Sequence, residues 1–428
     1  MSFEFIETEL GNFVEIVTKK CDASIIDVTN YISTENMLPD RQGVTISSGI
    51  PDVNKFNSFE IGDTLFSNIR TYFKKVWFAT FYGGVSPDVL VFRTTHEKLT
   101  SEYLHLILSS DDFINYSHLT SKGAKMPRGD KGAMLSYKIK IPSLKYQKRC
   151  TKLIFTLSKK IDSNNRINQT LEQMAQALFK SWFVDFDPVK AKMAVLDAGG
   201  SQADATLAAM TAISGKDADA LAVFEREHPE QYAELKATAE LFPAAMQDSE
   251  LGAIPKGWGV ASISEMGKVT CGKTPSKKEP EYYGSDVPFI KIPDMHGQLF
   301  VLKTNEYLSE AGSKSQLKKL VPANSICVSC IATIGVVSIT NEPSHTNQQI
   351  NSVTPHKSSL LYYLYFCMLG LKDHLHILGS AGSATLNVNT STFSGIKIAQ
   401  PDAKVLELFH AKCTHLFNEI KSLSVQTE

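Results

Sequence analysis

The 428-residue chain is poor in net charge: 44 Lys+Arg stand against 45 Asp+Glu, so no global basic excess announces a polyanionic partner. No segment approaches ~20 continuous apolar residues, which excludes a membrane-spanning helix. The amino terminus lacks a basic stretch followed by a long apolar one, so no secretory leader is expected. The seven cysteines are odd in number and scattered through apolar runs, which points to a reduced, cytoplasmic protein. Cys327 and Cys330 form one C-x-x-C, but no second Cys/His pair completes a tetrahedral set. Alternation through residues 325–331 predicts a strand with the two sulfurs on opposite faces, buried small hydrophobes rather than metal ligands.

Catalytic motifs are missing as well. The phosphate-cradling G-x-x-x-x-G-K-[ST] loop is absent. So are the Gly-rich strand-to-helix loop that a methyltransferase needs for its cofactor and, separately, its polar-Pro-Pro-aromatic active-site loop. His296, His345, His374 and His376 show no paired spacing and read as surface or structural histidines. No catalytic residue and no metal site are expected.

What the chain does have is a duplication. Tyr103, Lys122, Gly123, Ile139 and Pro142 recur 259 positions later as Tyr362, Ala381, Gly382, Ile398 and Pro401. Each copy runs from an apolar helical segment through a small-residue loop to a β-branched strand ending at proline, then a heptad pattern. Upstream, Gly62-Asp63-Thr64-Leu65-Phe66 lines up with Ala323-Asn324-Ser325-Ile326-Cys327. Two equivalent reading heads joined by helices are built to grip something at two places.

Charge distribution adds to this. Between Lys122 and Arg149 nine basic residues face one acid, a local net of +8, whereas residues 196–250 hold eleven acids against three bases, a net of −8. The near-zero total therefore hides a basic patch and an acidic connector.

The expected organisation is α+β: two repeated mixed α/β domains separated by long helices that form an antiparallel coiled coil. Residues 1–142 read as a strand-rich first domain with a helix near 102–109, 143–190 as a helical arm, 191–256 as an acidic Ala-rich connector, 257–402 as the second domain and 403–428 as a short second arm. Ile154, Leu157, Ile161, Asn164, Asn168, Leu171, Ala175 and Leu178 alternate spacings of three and four, a coiled-coil seam bracketed by Pro142 and Pro188. Phe409, Leu416, Ile420 and Leu423, with Cys413, form the equivalent seam of the second arm. Asn164 and Asn168 would restrict the registers available to a helix pair at some cost in stability. If continuous over 144–187, the first helix rises ~1.5 Å per residue to about 66 Å. By the 259-residue offset the second arm is some 18 residues shorter than the first, so pairing is expected over part of the first helix, or a subunit-docking region is missing.

Two long runs resemble a known family. Residues 171–193, with Leu171-Glu172-Gln173-Met174-Ala175-Gln176-Ala177-Leu178-Phe179-Lys180-Ser181-Trp182-Phe183-Val184-Asp185-Phe186-Asp187-Pro188 at their head, look like the central conserved region of the specificity subunit of type I restriction-modification systems. Leu241-Phe242-Pro243 and Asp248-Ser249-Glu250-Leu251-Gly252-Ala253-Ile254-Pro255-Lys256-Gly257-Trp258 are similar to the run that introduces the second target-recognition domain there. The resemblance implies two target-recognition domains that each read one half of an asymmetric, bipartite double-stranded DNA site. It also implies helices that recruit two modification (methyltransferase) subunits, with restriction (translocase-nuclease) subunits joining the full complex. No cofactor is implied for this chain: S-adenosylmethionine belongs to the methyltransferase subunits, and ATP and Mg to the restriction subunits.

Base readout needs donors and acceptors on loops of a rigid scaffold, and phosphate contacts need cations. In the first domain the candidate DNA-binding residues are Arg70, Lys74, Lys75, Lys122, Lys125, Arg128 and Lys131. In the second they are Lys273, Thr274, Ser276, Lys277 and Lys278, then Lys291 and Asp294, then Asn347, Gln348 and Gln349. A solvated basic face, or turns and buried hydrogen bonds, is the competing explanation for these residues. The competing function is a repeated coiled-coil interaction scaffold that does not read DNA.

Overall fold

The computed structural model describes residues 5–123, 126–380 and 386–427. The chain divides into two compact units, Met1–Lys160 and Ile161–Glu428, with the boundary inside a 40-residue helix, Leu144–Phe183, rather than at either of its ends.

In the first unit, strand Ile6–Glu9 closes antiparallel on Lys138–Ile141. A four-stranded antiparallel sheet runs in the order Val14–Ile16, Val89–Thr94, Thr64–Ser67, Val76–Phe78. Its side chains alternate between faces, as the pleat dictates. Phe66, Leu90 and Phe92 pack on helices Ser101–Ser109 and Asp111–Leu119 through Leu104, Leu108 and Phe113. Leu65, Val89 and Val91 face Phe59 and Val85 of a second sheet, which runs Lys20–Asp22, Lys55–Phe59, Gly83–Val85, Tyr31–Ile32 with its last pair parallel. Gln147, fully buried, fastens the root of the long helix: its amide nitrogen donates to Lys98 O at 2.7 Å and Pro142 O at 2.9 Å, and its oxygen accepts from Thr100 N at 2.9 Å.

The second unit repeats this plan. Gly259–Ser262 closes on Lys397–Gln400, 259 residues after the first closing strand. A five-stranded sheet follows the order Gly267–Cys271, Ile350–Pro355, Ile326–Ser329, Val337–Thr340, Phe300–Val301. Ile326 and Val328 belong to the main core and Cys327 to a separate one, so Cys327 and Cys330 lie in different cores. Burial pushes both thiols up to about 11. Among the described residues no three His, Cys, Asp or Glu side chains converge on a metal-sized site, and no helix is long and apolar enough to cross a membrane.

The register of the upstream repeat differs by one residue from the sequence alignment. Gly62 matches Asn324, not Ala323: both have left-handed φ (92° and 60°), and their N–H groups donate to Ala79 O and Thr340 O at 2.9 Å each. Leu65 thus corresponds to Cys327 and Phe66 to Val328. A one-residue slip exchanges the faces of every side chain in a strand, so the two cores decide the register where local residue similarity misleads.

The acidic connector is folded. Helices Asp187–Asp197, Gln202–Ser214, Ala218–Glu227 and Pro229–Glu240 bury Ala209, Met210, Leu221 and Ala239 among themselves. Gly215 ends the second of them in the left-handed conformation at φ 69°, an ordinary role for glycine after a helix.

The heptad seams do not share one environment. On the second arm, the 25-residue helix Ala403–Thr427, Phe409, Cys413, Ile420 and Leu423 are buried and Leu416 is half-buried. On the first arm Ile154, Leu157 and Ile161 are exposed, while Asn164 is buried and Asn168, Leu171 and Leu178 are half-buried. The second arm is covered by its own domain, where Tyr362 lies 4.3 Å from Phe417 between ring centroids. The early first arm instead turns Phe155 inward, against Phe78 at 5.2 Å. Asn168 Nδ2 donates to Ser424 Oγ at 3.0 Å while Phe183 meets Phe409 at 5.0 Å, so the later part of the first arm and the second arm run antiparallel.

Candidate nucleic-acid interface

In each unit three loops converge beside the central sheet, and their backbones are tied by the same bonds. In the first unit Asn68 N donates to Asp88 O (2.8 Å), Arg70 N to Pro127 O (3.0 Å) and Gly129 N to Asn68 O (3.0 Å). In the second, Cys330 N donates to Gln349 O (2.8 Å), Ala332 N to Leu386 O (3.0 Å) and Val388 N to Cys330 O (2.9 Å). The isolated bridge between Ile69 and Arg128 recurs between Ile331 and Asn387. Arg70 and Ala332 both hold left-handed φ, 49° and 63°, as do Lys74 and Gly335 further round the turn, 54° and 84°. Asp130 and Asn389 each cap the short helix that follows, accepting from backbone N–H groups. The frame is thus common to both units and the side chains on it are not.

The first-unit turn is one residue longer, with Thr71, Tyr72 and Phe73 between its left-handed residues where the second has Thr333 and Ile334. Tyr72 and Phe73 are exposed and their rings lie 4.7 Å apart. Arg70 is exposed, and among the described residues no acid lies within ion-pair distance of it. The other candidate cations of this turn are engaged. Lys74 Nζ is 2.9 Å from Asp111 Oδ1, which Arg41 also binds. Lys75 Nζ donates to Thr34 O at 2.6 Å, and burial lowers its pKa, so it braces the fold.

The +8 segment is less free than its sequence implies. Lys122 pairs with Asp130, and Arg128 with Asp88 at 2.8 Å. Lys138 pairs with Glu9 at 2.7 Å and Lys140 with Glu7 at 3.0 Å. Acids remote in sequence supply most of these partners. Surface pairs of this kind are worth only ~0–1 kcal/mol, so a phosphate can exchange with the carboxylate. Lys131, first residue of helix Lys131–Leu135, is exposed; Lys125 lies outside the described residues.

In the second unit the Gly272 loop joins the frame. Gly272 N donates to Ile350 O at 3.1 Å, Lys273 N to Thr346 O at 2.9 Å and Thr274 Oγ1 to Gln348 Oε1 at 2.6 Å. Ser276, Lys277 and Lys278 are exposed on its far side, the Ser276 hydroxyl accepting from Lys278 N at 3.3 Å. Two candidates are corrected. Asp294 is 4% exposed, and its carboxylate accepts from Lys291 N (2.8 Å) and from Asn305 N and Nδ2 (3.0 and 2.7 Å), which makes it a helix cap rather than a base contact. Asn347 is buried, with its amide turned onto Gln349 at 2.9 and 3.1 Å. Lys291 is held by Glu306 and lies over Phe289. Gln348 is exposed and Gln349 half-buried. His345 is buried against Ser313 Oγ at 2.9 Å, a structural histidine whose pKa burial lowers.

Charge and polarity drew attention to half of this site. None of Asp88, Ala332, Thr333 and Asn387 is a cation; the corrected 262-residue offset at the turn, which matches Arg70 with Ala332, reaches Ala332 and Thr333, and the 259-residue offset of the following loop, which matches Arg128 with Asn387, reaches the last.

Two copies of one loop frame, each furnished with different side chains on a rigid sheet, define a duplicated recognition protein. The chain belongs to the type I restriction-modification DNA specificity family, whose domain matches it twice, over residues 4–173 and 255–421, each match taking in one domain and much of its arm. It is 39% identical to the type I restriction enzyme HindI specificity subunit of Haemophilus influenzae over 99% of this chain and 95% of that one. It is 31% identical to the EcoR124I/EcoR124II specificity subunit of Escherichia coli over 35% of each. The S subunit of a type I restriction-modification system from M. genitalium shares its fold, with a TM-score of 0.53 and 10% identity over 99% of this chain and 94% of that one. The residues that carried the sequence resemblance are architectural. Trp182 is fully buried among Phe183, Phe242 and Phe409, and Phe183 meets Trp258 at 5.8 Å.

Proposed function

We propose that this chain is the sequence-reading component of a type I restriction-modification complex, with each repeated domain reading one half of a bipartite, asymmetric double-stranded DNA site. The observation that carries this reading is the duplicated loop frame, identical in its backbone bonds and different in its side chains, within a chain of the DNA specificity family. Such a frame presents two unlike chemical surfaces from like supports, which is what two unlike half-sites require. The chain itself performs no chemistry in this scheme. Modification subunits bind through the helical arms and bring S-adenosylmethionine; restriction subunits, where present, bring ATP and Mg.

The test is methylome sequencing of a strain without other modification systems that co-expresses this chain with the methyltransferase subunit encoded beside it. One bipartite motif with a fixed gap is the expected result. Assembly with an active methyltransferase but no motif would refute the reading and favour the scaffold that does not touch DNA.

A further inference from the structure

Arg70 and Ala332 occupy the same place in the two frames: each follows the bridge residue, each donates its N–H to the facing loop at 3.0 Å, and each holds a left-handed φ. Glycine adopts that conformation without steric cost, whereas other residues enter it at a small penalty. Neither frame uses glycine there, so both keep a side chain at this point against the backbone's preference. Both side chains are exposed.

We infer that this left-handed position presents the base-reading side chain of each domain, so that Arg70 reads a guanine in one half-site while the apolar Ala332-Thr333 surface meets a thymine methyl in the other. The inference rests on the function proposed above and deepens it. Arg70 is singled out because its neighbours are engaged: Lys74 with Asp111, Lys75 with the Thr34 carbonyl, Lys122 with Asp130 and Arg128 with Asp88. Its guanidinium remains on a support fixed by a ladder bridge and two loop hydrogen bonds, the rigidity that bidentate recognition needs. The planar fork of arginine matches the O6/N7 edge of guanine, and alanine and threonine methyls suit the C5-methyl of thymine. The exposed Tyr72–Phe73 pair beside Arg70 has no counterpart in the second turn, where Ile334 is buried, so the first turn has an aromatic surface that the second lacks.

The experiment compares motifs written by wild type, R70A, R70G, R70K and A332R, each co-expressed with the methyltransferase subunit in the modification-free strain. R70G removes the side chain while easing the backbone, and A332R exchanges one non-glycine residue for another, so both keep the fold; thermal unfolding checks this. R70A and R70G should relax discrimination at one guanine of one half-site by roughly 10-fold or more, leaving the other half-site and the gap unchanged. R70K should discriminate less well than wild type because it cannot form the fork. A332R should alter only the second half-site. An unchanged motif for R70A and R70G overturns the assignment. Uniform loss of modification in complexes that still assemble overturns it too, and makes Arg70 a general affinity contact. A wild-type chain that writes no bipartite motif refutes the underlying function instead.

Discussion

Asn168 Nδ2 reaches across 3.0 Å to Ser424 Oγ, whose own proton goes to Ile420 O at 2.7 Å, and this chain of bonds sets the register in which the two arms meet. One turn earlier, Asn164 is fully buried with neither amide atom hydrogen-bonded. A buried unsatisfied amide costs roughly 1–3 kcal/mol, whereas a hydrogen bond like that of Asn168 contributes about 1 kcal/mol. Asn164→Leu should therefore raise the urea midpoint of the chain, whereas Ser424→Ala, which leaves Asn168 with both Nδ2 and Oδ1 unpaired, should lower it. A lower midpoint for Asn164→Leu would show that the amide finds partners in solution.

The ring of His105 sits between Phe78 and Phe155, with centroids 5.4 and 5.9 Å away. Burial first, and the charge of Arg41 second, push its pKa from 6.5 down to about 4. Above the higher value the ring is neutral in both folded and unfolded chains and has no effect on the balance. Between the two values the unfolded chain binds the extra proton, so stability falls as pH drops from 6.5 towards 4. At ~1.4 kcal/mol per pH unit the loss approaches roughly 3 kcal/mol. Urea midpoints at about pH 7.5 and about pH 5 should diverge less for H105Q than for wild type; parallel losses would place the acid sensitivity elsewhere.

The arms, the closing strands and the repeat itself were legible in the sequence because long periodic signals average over local accidents. Lys138–Ile141 and Lys397–Gln400 match residue for residue at the 259 offset. The helix Asp111–Leu119 was not foreseen, its apolar positions being too few to stand out. The strand register at Gly62 also failed, because side-chain likeness over five residues is weaker than the choice of core. The basic segment was visible but its neutralisation was not, since Asp88, Glu7 and Glu9 reach it only through the fold. Ala332 was invisible for a different reason: an apolar residue in a turn shows its importance only when its backbone is compared with that of Arg70.

Gly272 admits no side chain. A Cβ there would lie 2.1 Å from Asn347 O and 2.3 Å from Thr346 Oγ1. Backbone of two loops would have to part, at a cost of roughly 1–3 kcal/mol. G272A should therefore loosen the bonds from Lys273 and Thr274 to the neighbouring loop and weaken recognition of the second half-site only. Equal weakening at both half-sites would indicate a global loss of fold, which the unfolding midpoint reports independently.

The free and the paired cations of the first unit should answer differently to salt. Lys131 is exposed and among the described residues has no acid partner; on the proposed DNA-reading function K131Q should remove one phosphate contact and lower the slope of log K against log salt by about 1. Arg128 is held by Asp88 at 2.8 Å. On the same proposal, DNA bound at Arg128 would have to displace that carboxylate or share the guanidinium with it, and R128Q would leave the carboxylate unpaired beside the phosphates. R128Q should thus weaken binding of the assembled complex more than K131Q does, at every salt concentration. D88N, by removing the stranded charge, should restore part of the affinity of R128Q while leaving that of K131Q nearly unchanged. If D88N rescues both variants equally, Asp88 repels DNA irrespective of Arg128, and the exchange of its carboxylate for a phosphate at Arg128 is refuted.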